Sequence, residues 1–179
     1  MAGARVTAVE VSPTRLARLE NNLARLGIEA ETVAADATRW RPAAPADTVL
    51  IDAPCIGTGT LRRHPDIARL KAPADLAALT GIQDRLLAAA VEMTAPGGSI
   101  VFTTCSLQPE EGASRVAALI AKGAPVERVP VDAAEVFGRA EWVSPEGDLR
   151  TLPCHLAEFG GMDGFYACRL RRLAYTKER

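Results

Sequence analysis

Short β-branched runs alternate with stretches of helical periodicity along this chain, and no internal repeat is visible. That alternation predicts an α/β fold: right-handed βαβ units, a mainly parallel sheet, and helices on both of its faces. Two further observations agree. Residues 47–52, Asp-Thr-Val-Leu-Ile-Asp, read as a continuous strand of the kind buried on both faces. Three acids (Glu10, Asp36 and Asp52) and one thiol (Cys105) fall where strands end, at the edge where such sheets bind ligands.

Each element has its own signal. Residues 5–11 are rich in β-branched side chains and read as the first strand. Ser12 and Pro13 then open a helix, serine as N-cap and proline at the first helical position. Leu16, Leu19, Leu23 and Leu26 recur at helical spacing until Gly27 ends the helix. Residues 31–35 read as a second strand ending at Asp36, and residues 47–52 as the third. Residues 53–65 form a loop rich in Gly, Pro and Thr. Residues 73–93 carry a long amphipathic pattern through Leu76, Leu79, Ile82, Leu86, Leu87 and Val91. Pro96-Gly97-Gly98 reads as a turn before a fourth strand over 99–103. A helix is predicted over 109–122, with Glu110 and Glu111 in its first turn, where the helix dipole favours negative charge. Residues 126–131 read as a fifth strand, 132–153 as loop with short helices, and 164–170 as a last strand.

Composition excludes several function classes. With 179 residues, the chain has room for one domain rather than two. A net charge of −1 argues against a protein that coats nucleic acid, and leaves room only for a local basic patch. Aromatic residues at 4% give a stacking platform little to build on. No apolar run reaches the roughly 18 residues of a membrane span, and the first residues lack the apolar segment of a secretory signal. A cytoplasmic location is expected. The four cysteines, at 55, 105, 154 and 168, form no CxxC pair, and only two histidines are present. No metal site is expected, and the thiols are expected to be reduced.

Residues at the strand ends each admit a functional and a plain reading. Glu10 is placed to accept from both hydroxyls of a ribose, or is an ordinary acid at a solvated strand end. Asp36 is placed to accept from the exocyclic amine of a purine, or caps a turn. Asp52-Ala53-Pro54-Cys55 brings an acid, a rigid proline and a thiol directly off a buried strand. Gly57-Thr58-Gly59-Thr60 follows, its glycines permitting close approach of a ligand. Arg62 and Arg63 meet phosphates or decorate a solvated loop. Thr104-Cys105-Ser106 precedes a helix start, where N–H groups would lower a thiol pKa. Two cysteines just past two strands suggest one shared pocket, unless both are buried structural thiols.

Taken together, these residues resemble a known family. The runs Asp52-Ala53-Pro54-Cys55-Ile56-Gly57-Thr58-Gly59 with Arg62-Arg63-His64-Pro65-Asp66, and Thr104-Cys105-Ser106-Leu107-Gln108-Pro109-Glu110-Glu111, are similar to the paired signatures of the Sun-type RNA (cytosine-5) methyltransferases. Bacterial members of that family include methyltransferases of small-subunit ribosomal RNA. Weaker agreement comes from Val6–Glu10 with Ser12–Leu16 and Asn22–Gly27, from Ala35-Asp36-Ala37, and from Gly160–Tyr166. The order is that of the family over nearly the whole chain. Ile56 stands where serine is common, and Gly112 where asparagine is common.

The resemblance implies a Rossmann-like class I methyltransferase sheet, mostly parallel with a C-terminal antiparallel hairpin, and S-adenosylmethionine as cofactor. It implies Cys105 as the nucleophile that adds to carbon 6 of cytosine, activating carbon 5 by covalent catalysis. Cys55 is implied to assist product release, and Asp52 to hold the base near N3 and to lie close to the cofactor. Glu10 is implied to bind the cofactor ribose and Asp36 its adenine. The implied partner is RNA, ribosomal RNA foremost and transfer RNA next. The resemblance begins at the family's second strand, after the place of its Asp-x-Cys-Ala-Ala-Pro-Gly-Gly-Lys-Thr-like loop. The expectation is therefore an N-terminally truncated catalytic domain over residues 1–179 that lacks the family's first, central strand. Such a sheet would have an edge open to pairing, and this chain alone would bind the cofactor weakly or not at all. Two rivals stand beside it. One is an inactive remnant or RNA-binding module of the same fold. The other is a DNA cytosine-5 methyltransferase, in which the Pro-Cys thiol would be the nucleophile.

Overall fold

A computed structural model describes residues 3–70 and 72–174. The backbone falls into two compact units, divided after Pro42.

The first unit is a βαβ turn of chain. Strand β1 (Thr7–Glu10) pairs in parallel with β2 (Glu31–Ala34), and Glu10 lies level with Ala34. Helix α1 (Pro13–Leu26) connects them. Its ends follow the local chemistry that the sequence announces. The Ser12 side chain accepts from the Arg15 N–H at 3.4 Å, and Gly27 closes the helix in the left-handed region at φ 63°.

The second unit carries β3 (Ala46–Asp52), the short α2 (Ile67–Leu70), α3 (Pro73–Met93), β4 (Thr94–Thr104), α4 (Ala113–Ala121), β5 (Val126–Arg128), β6 (Leu149–Thr151) and β7 (Phe165–Arg172). The sheet order is β3-β4-β7-β5, with β6 also on β7. The β3–β4 pair is parallel, and β7 runs antiparallel to β4, β5 and β6. Four of the five strands therefore share one direction and β7 alone is reversed, so the sheet is parallel-dominated with an antiparallel C-terminal hairpin, as expected.

The core lies between this sheet and α3 and α4. Ile51, Ile100, Phe102, Tyr166, Cys168 and Leu170 meet Leu87, Ala90 and Val91 of α3 and Val116 of α4. Burial of such side chains contributes about 1.5–3 kcal/mol each. Phe102 and Tyr166 meet edge to face at 6.4 Å. The expectation that residues 47–52 are buried on both faces is corrected: Ile51 is 7% exposed, but its neighbour Leu50 is 67% exposed. The reason is position. Among the described residues β3 pairs with β4 alone, and α3 and α4 both cover the Ile51 face.

Other boundaries also shift. The first strand is Thr7–Glu10, and the fifth ends at Arg128 rather than at 131. Pro96-Gly97-Gly98 does not precede β4 but interrupts it: Ala46 faces Thr94, whereas Thr48 faces Ser99. Residues 132–153 contain β6 as well as the expected short helical turns. The single helix expected over 109–122 is two pieces, a 3₁₀ turn over Pro109–Glu111 and then α4. Gly112 breaks them apart at φ −127°, ψ −105°, where a Cβ would meet the Tyr166 ring at 3.0 Å. No helix among the described residues is long and apolar enough to cross a membrane.

Candidate active site

Parallel pairing brings the two sequence-predicted thiols together. Asp52 at the end of β3 lies level with Thr103 of β4, and the Ala53 N–H continues the ladder to the Thr103 carbonyl at 3.0 Å. Cys55 and Cys105 leave the sheet side by side, each just past its strand, with their Sγ atoms 3.4 Å apart. Both are free thiols and half-buried.

That contact divides the pair's chemistry. A shared hydrogen bond favours one thiolate and one thiol donor. The bond from Cys55 brings Cys105 down to about 7, against the opposing effects of burial and of the Asp52 and Glu111 charges. The same bond, then burial, pushes Cys55 up. A lowered Cys105 is what the helix start after it led one to expect, but the principal cause is the neighbouring thiol rather than helix N–H groups. Asp52 itself is exposed at the end of β3.

The two thiol-bearing loops are laced together. The Thr58 hydroxyl accepts from the Leu107 N–H at 2.8 Å and lies 3.2 Å from the Ser106 hydroxyl. The Gly59 N–H donates to the Cys105 carbonyl at 2.9 Å, and the Gly59 carbonyl accepts from the Gly164 N–H at 2.8 Å. A Cβ on Gly59 would lie 2.0 Å from the Gly164 oxygen. The close approach that Gly59 permits is thus to the protein's own backbone, which corrects the expectation of a ligand there. Arg150 donates to the Ser106 and Leu107 carbonyls at 2.9 and 2.7 Å, fixing the chain just after Cys105.

Arg62 and Arg63 are neither simply solvated nor free. Arg63 grips Asp163 with two nitrogens, and Arg62 lies 3.7 Å from the same carboxylate. The bond to Asp163 holds the Arg63 guanidinium above its usual value, and Cys105 adds a smaller push in the same direction. Two groups to which sequence reasoning gave no place in the site complete the surroundings. Glu111 turns inward and is fully buried instead of decorating a helix start, and Gln83 of α3 meets it at 3.1 Å. Gln83 had one legible signal: it is a polar residue on the stripe that buries Leu87 and Ala90. Of the other thiols, Cys154 is exposed and Cys168 is buried with its pKa pushed up to about 12. Among the described residues no group of His, Cys, Asp or Glu is placed to hold a metal ion.

Glu10 and Asp36 belong to the first unit, at the carboxyl edge of the β1–β2 pair. Glu10 accepts from the Ser12 N–H at 2.7 Å and pairs with Arg15 through two bonds at 2.7 and 2.9 Å, which hold its carboxyl below the usual range. Asp36 accepts from the Thr38 N–H and hydroxyl at 2.9 and 2.7 Å, the turn-capping role open to it from sequence. A carboxylate has about four acceptor positions. Glu10 uses three, and Arg15 is an exposed partner that can swing away. The acceptors at this edge therefore fit the hydroxyl donors of a nucleoside ribose.

Comparison with known proteins gives the family. A family model described as 16S rRNA methyltransferase RsmB/F matches residues 1–171. Ribosomal RNA small subunit methyltransferase B of Pseudomonas syringae pv. tomato is 38% identical over 172 residues, covering 94% of this chain and 37% of that protein. A methyltransferase homologue protein from Pyrococcus horikoshii is 26% identical with a TM-score of 0.73, over 95% of this chain and 54% of that one. NSun6 from Pyrococcus horikoshii, solved with SFG, shares the fold at 24% identity and a TM-score of 0.76, over 96% of this chain and 42% of that one. The chain thus spans little more than a third of the length of its curated relative. With both thiol motifs in place and the family model matching 171 of 179 residues, the chain belongs to the RsmB/F family of 16S rRNA methyltransferases.

Proposed function

We propose that this chain is catalytic-domain sequence of a cytoplasmic RNA cytosine-C5 methyltransferase that acts on ribosomal RNA. The observation that carries the reading is the 3.4 Å contact between Cys55 and Cys105. Carbon 5 of cytosine is a poor nucleophile until a thiolate adds at carbon 6. Cys105 supplies that thiolate near neutral pH, because Cys55 donates to its sulfur. As the S–C6 bond forms, the electron pair of the C5=C6 bond moves toward N3. N3 takes up a proton from solvent as that pair arrives, Asp52 accepts from the N3–H and the exocyclic amine, and carbon 5 becomes enamine-like. S-adenosylmethionine, when bound, supplies an electrophilic methyl group. Glu10 accepts from its ribose hydroxyls and Asp36 from its adenine amine. Carbon 5 then loses its proton to solvent water, the C–H pair rebuilds the C5=C6 bond, and the S–C6 bond breaks with its electron pair returning to the Cys105 sulfur. Cys55 eases that departure through the same hydrogen bond that stabilises the thiolate at the start.

The test is chemical. A small-subunit ribosomal RNA transcript is incubated with S-adenosylmethionine and the protein that carries this chain, then digested to nucleosides. 5-Methylcytidine by mass analysis is expected; a methyl group on another nucleoside overturns the assignment.

A further inference from the structure

We propose that Glu111, working with Gln83, is a positioning residue that grips the peptide groups on both sides of Cys55 and so sets the thiol pair. Glu111 follows Cys105 by six residues in the chain. The Gly112 break, crowded by the Tyr166 ring, turns it inward instead of letting a helix run on. Both of its carboxylate oxygens lie 3.1 Å from the Ile56 N–H, the peptide after Cys55. Gln83 donates one N–H to Glu111 at 3.1 Å and the other to the Pro54 carbonyl, the peptide before Cys55, at 2.8 Å. One buried pair therefore holds Cys55 from both directions, and its acid is anchored in the loop that carries Cys105.

A neutral acceptor would satisfy the Ile56 N–H. A carboxylate that is 0% exposed instead carries a desolvation penalty, offset by these donors. What the charge adds is electrostatic: it opposes ionisation of both thiols. A thiolate loses nucleophilicity as its pKa falls, and the best attacking thiol titrates near ambient pH. Glu111 thus fixes Cys55 in place, and its charge adds a small push against ionisation of either thiol.

The role rests on the reading of the thiols as the reacting pair, but its test needs neither RNA nor cofactor. The intact protein is alkylated with iodoacetamide across a pH series, and each cysteine is followed by peptide mass. In Glu111→Gln the charge is lost. The new amide N–H also replaces one of the two oxygens that face the Ile56 N–H, which loosens the grip on the peptide after Cys55. The expected result is a Cys105 midpoint below that of the parent and a Cys55 alkylation rate at least fivefold higher. Gln83→Met keeps the volume and the charge but removes both donors. It is expected to free Cys55 by a similar factor, and it decides the matter if Glu111→Gln does not fold. Parent-like Cys105 midpoints and Cys55 rates in the folded variants overturn the proposal, as does lower melting with the thiol profiles unchanged. If the thiol profiles move but no 5-methylcytidine forms, the positioning role stands and the functional reading falls.

Discussion

Substituting Gly59 by alanine probes how tightly the two thiol loops must approach. A Cβ there would lie 2.0 Å from the Gly164 oxygen and 2.7 Å from the Cys105 oxygen, both backbone atoms without a rotamer to give. Carbon atoms do not approach that closely, so the Gly164 segment must retreat by about 1 Å or more. Retreat breaks at least one of the bonds that Gly59 makes, from its N–H to Cys105 and to its carbonyl from Gly164. Overpacking costs about 1–3 kcal/mol, and each lost backbone bond about 1 kcal/mol more, for a total of about 3 kcal/mol. At about 2–4 °C per kcal/mol for a domain of this size, melting should fall by about 6–12 °C. Gly123→Ala is the control. Its site has φ +78° and open space around it, so it loses only about 1 kcal/mol to left-handed strain. Differential scanning calorimetry measures both. A Gly59→Ala protein that melts within about 2 °C of the parent would refute the close-approach account of this glycine.

Three further outcomes follow from the same geometry. Alkylation of Cys105 should titrate with a midpoint near 7, falling about tenfold per pH unit below it, because only the thiolate reacts. Cys55→Ala removes the donor and should move that midpoint up toward the ordinary thiol value of about 8.5; an unmoved midpoint contradicts the shared bond. Arg150→Met keeps the stem but removes both bonds to the carbonyls after Cys105. Charge-assisted bonds of this kind contribute about 1.5–3 kcal/mol, so the urea midpoint should drop; no drop would mean that water replaces the guanidinium without loss.

What could be read from the sequence was what local chemistry decides. Helix α1 needs only Ser12, Pro13 and Gly27, and α3 needs only its own periodicity, and both stand where those signals put them. Cys55 and Cys105 were legible as one pocket because adjacent parallel strands end together. The misreadings are long-range. Glu111 looks like a dipole acid beside Pro109, but the chain breaks at Gly112, where the Tyr166 ring, far along the chain, leaves no room for a Cβ, and the acid lies buried. Strand β6 is three residues long and exists only because β7 pairs with it. The exposed face of Leu50 likewise follows from α3 and α4 both packing on the Ile51 face, not from the composition of β3.

The division of labour between the two thiols is the central claim, and covalent trapping tests it most directly. RNA bearing 5-fluorocytosine is incubated with the intact enzyme and S-adenosylmethionine at pH 8.5, and the denaturation-resistant adduct is counted by gel. Fluorine at carbon 5 blocks proton loss, so the S–C6 bond cannot break. The account predicts an adduct with the parent, its retention in Cys55→Ala, and its loss in Cys105→Ala. An adduct that survives in Cys105→Ala and vanishes in Cys55→Ala would contradict it.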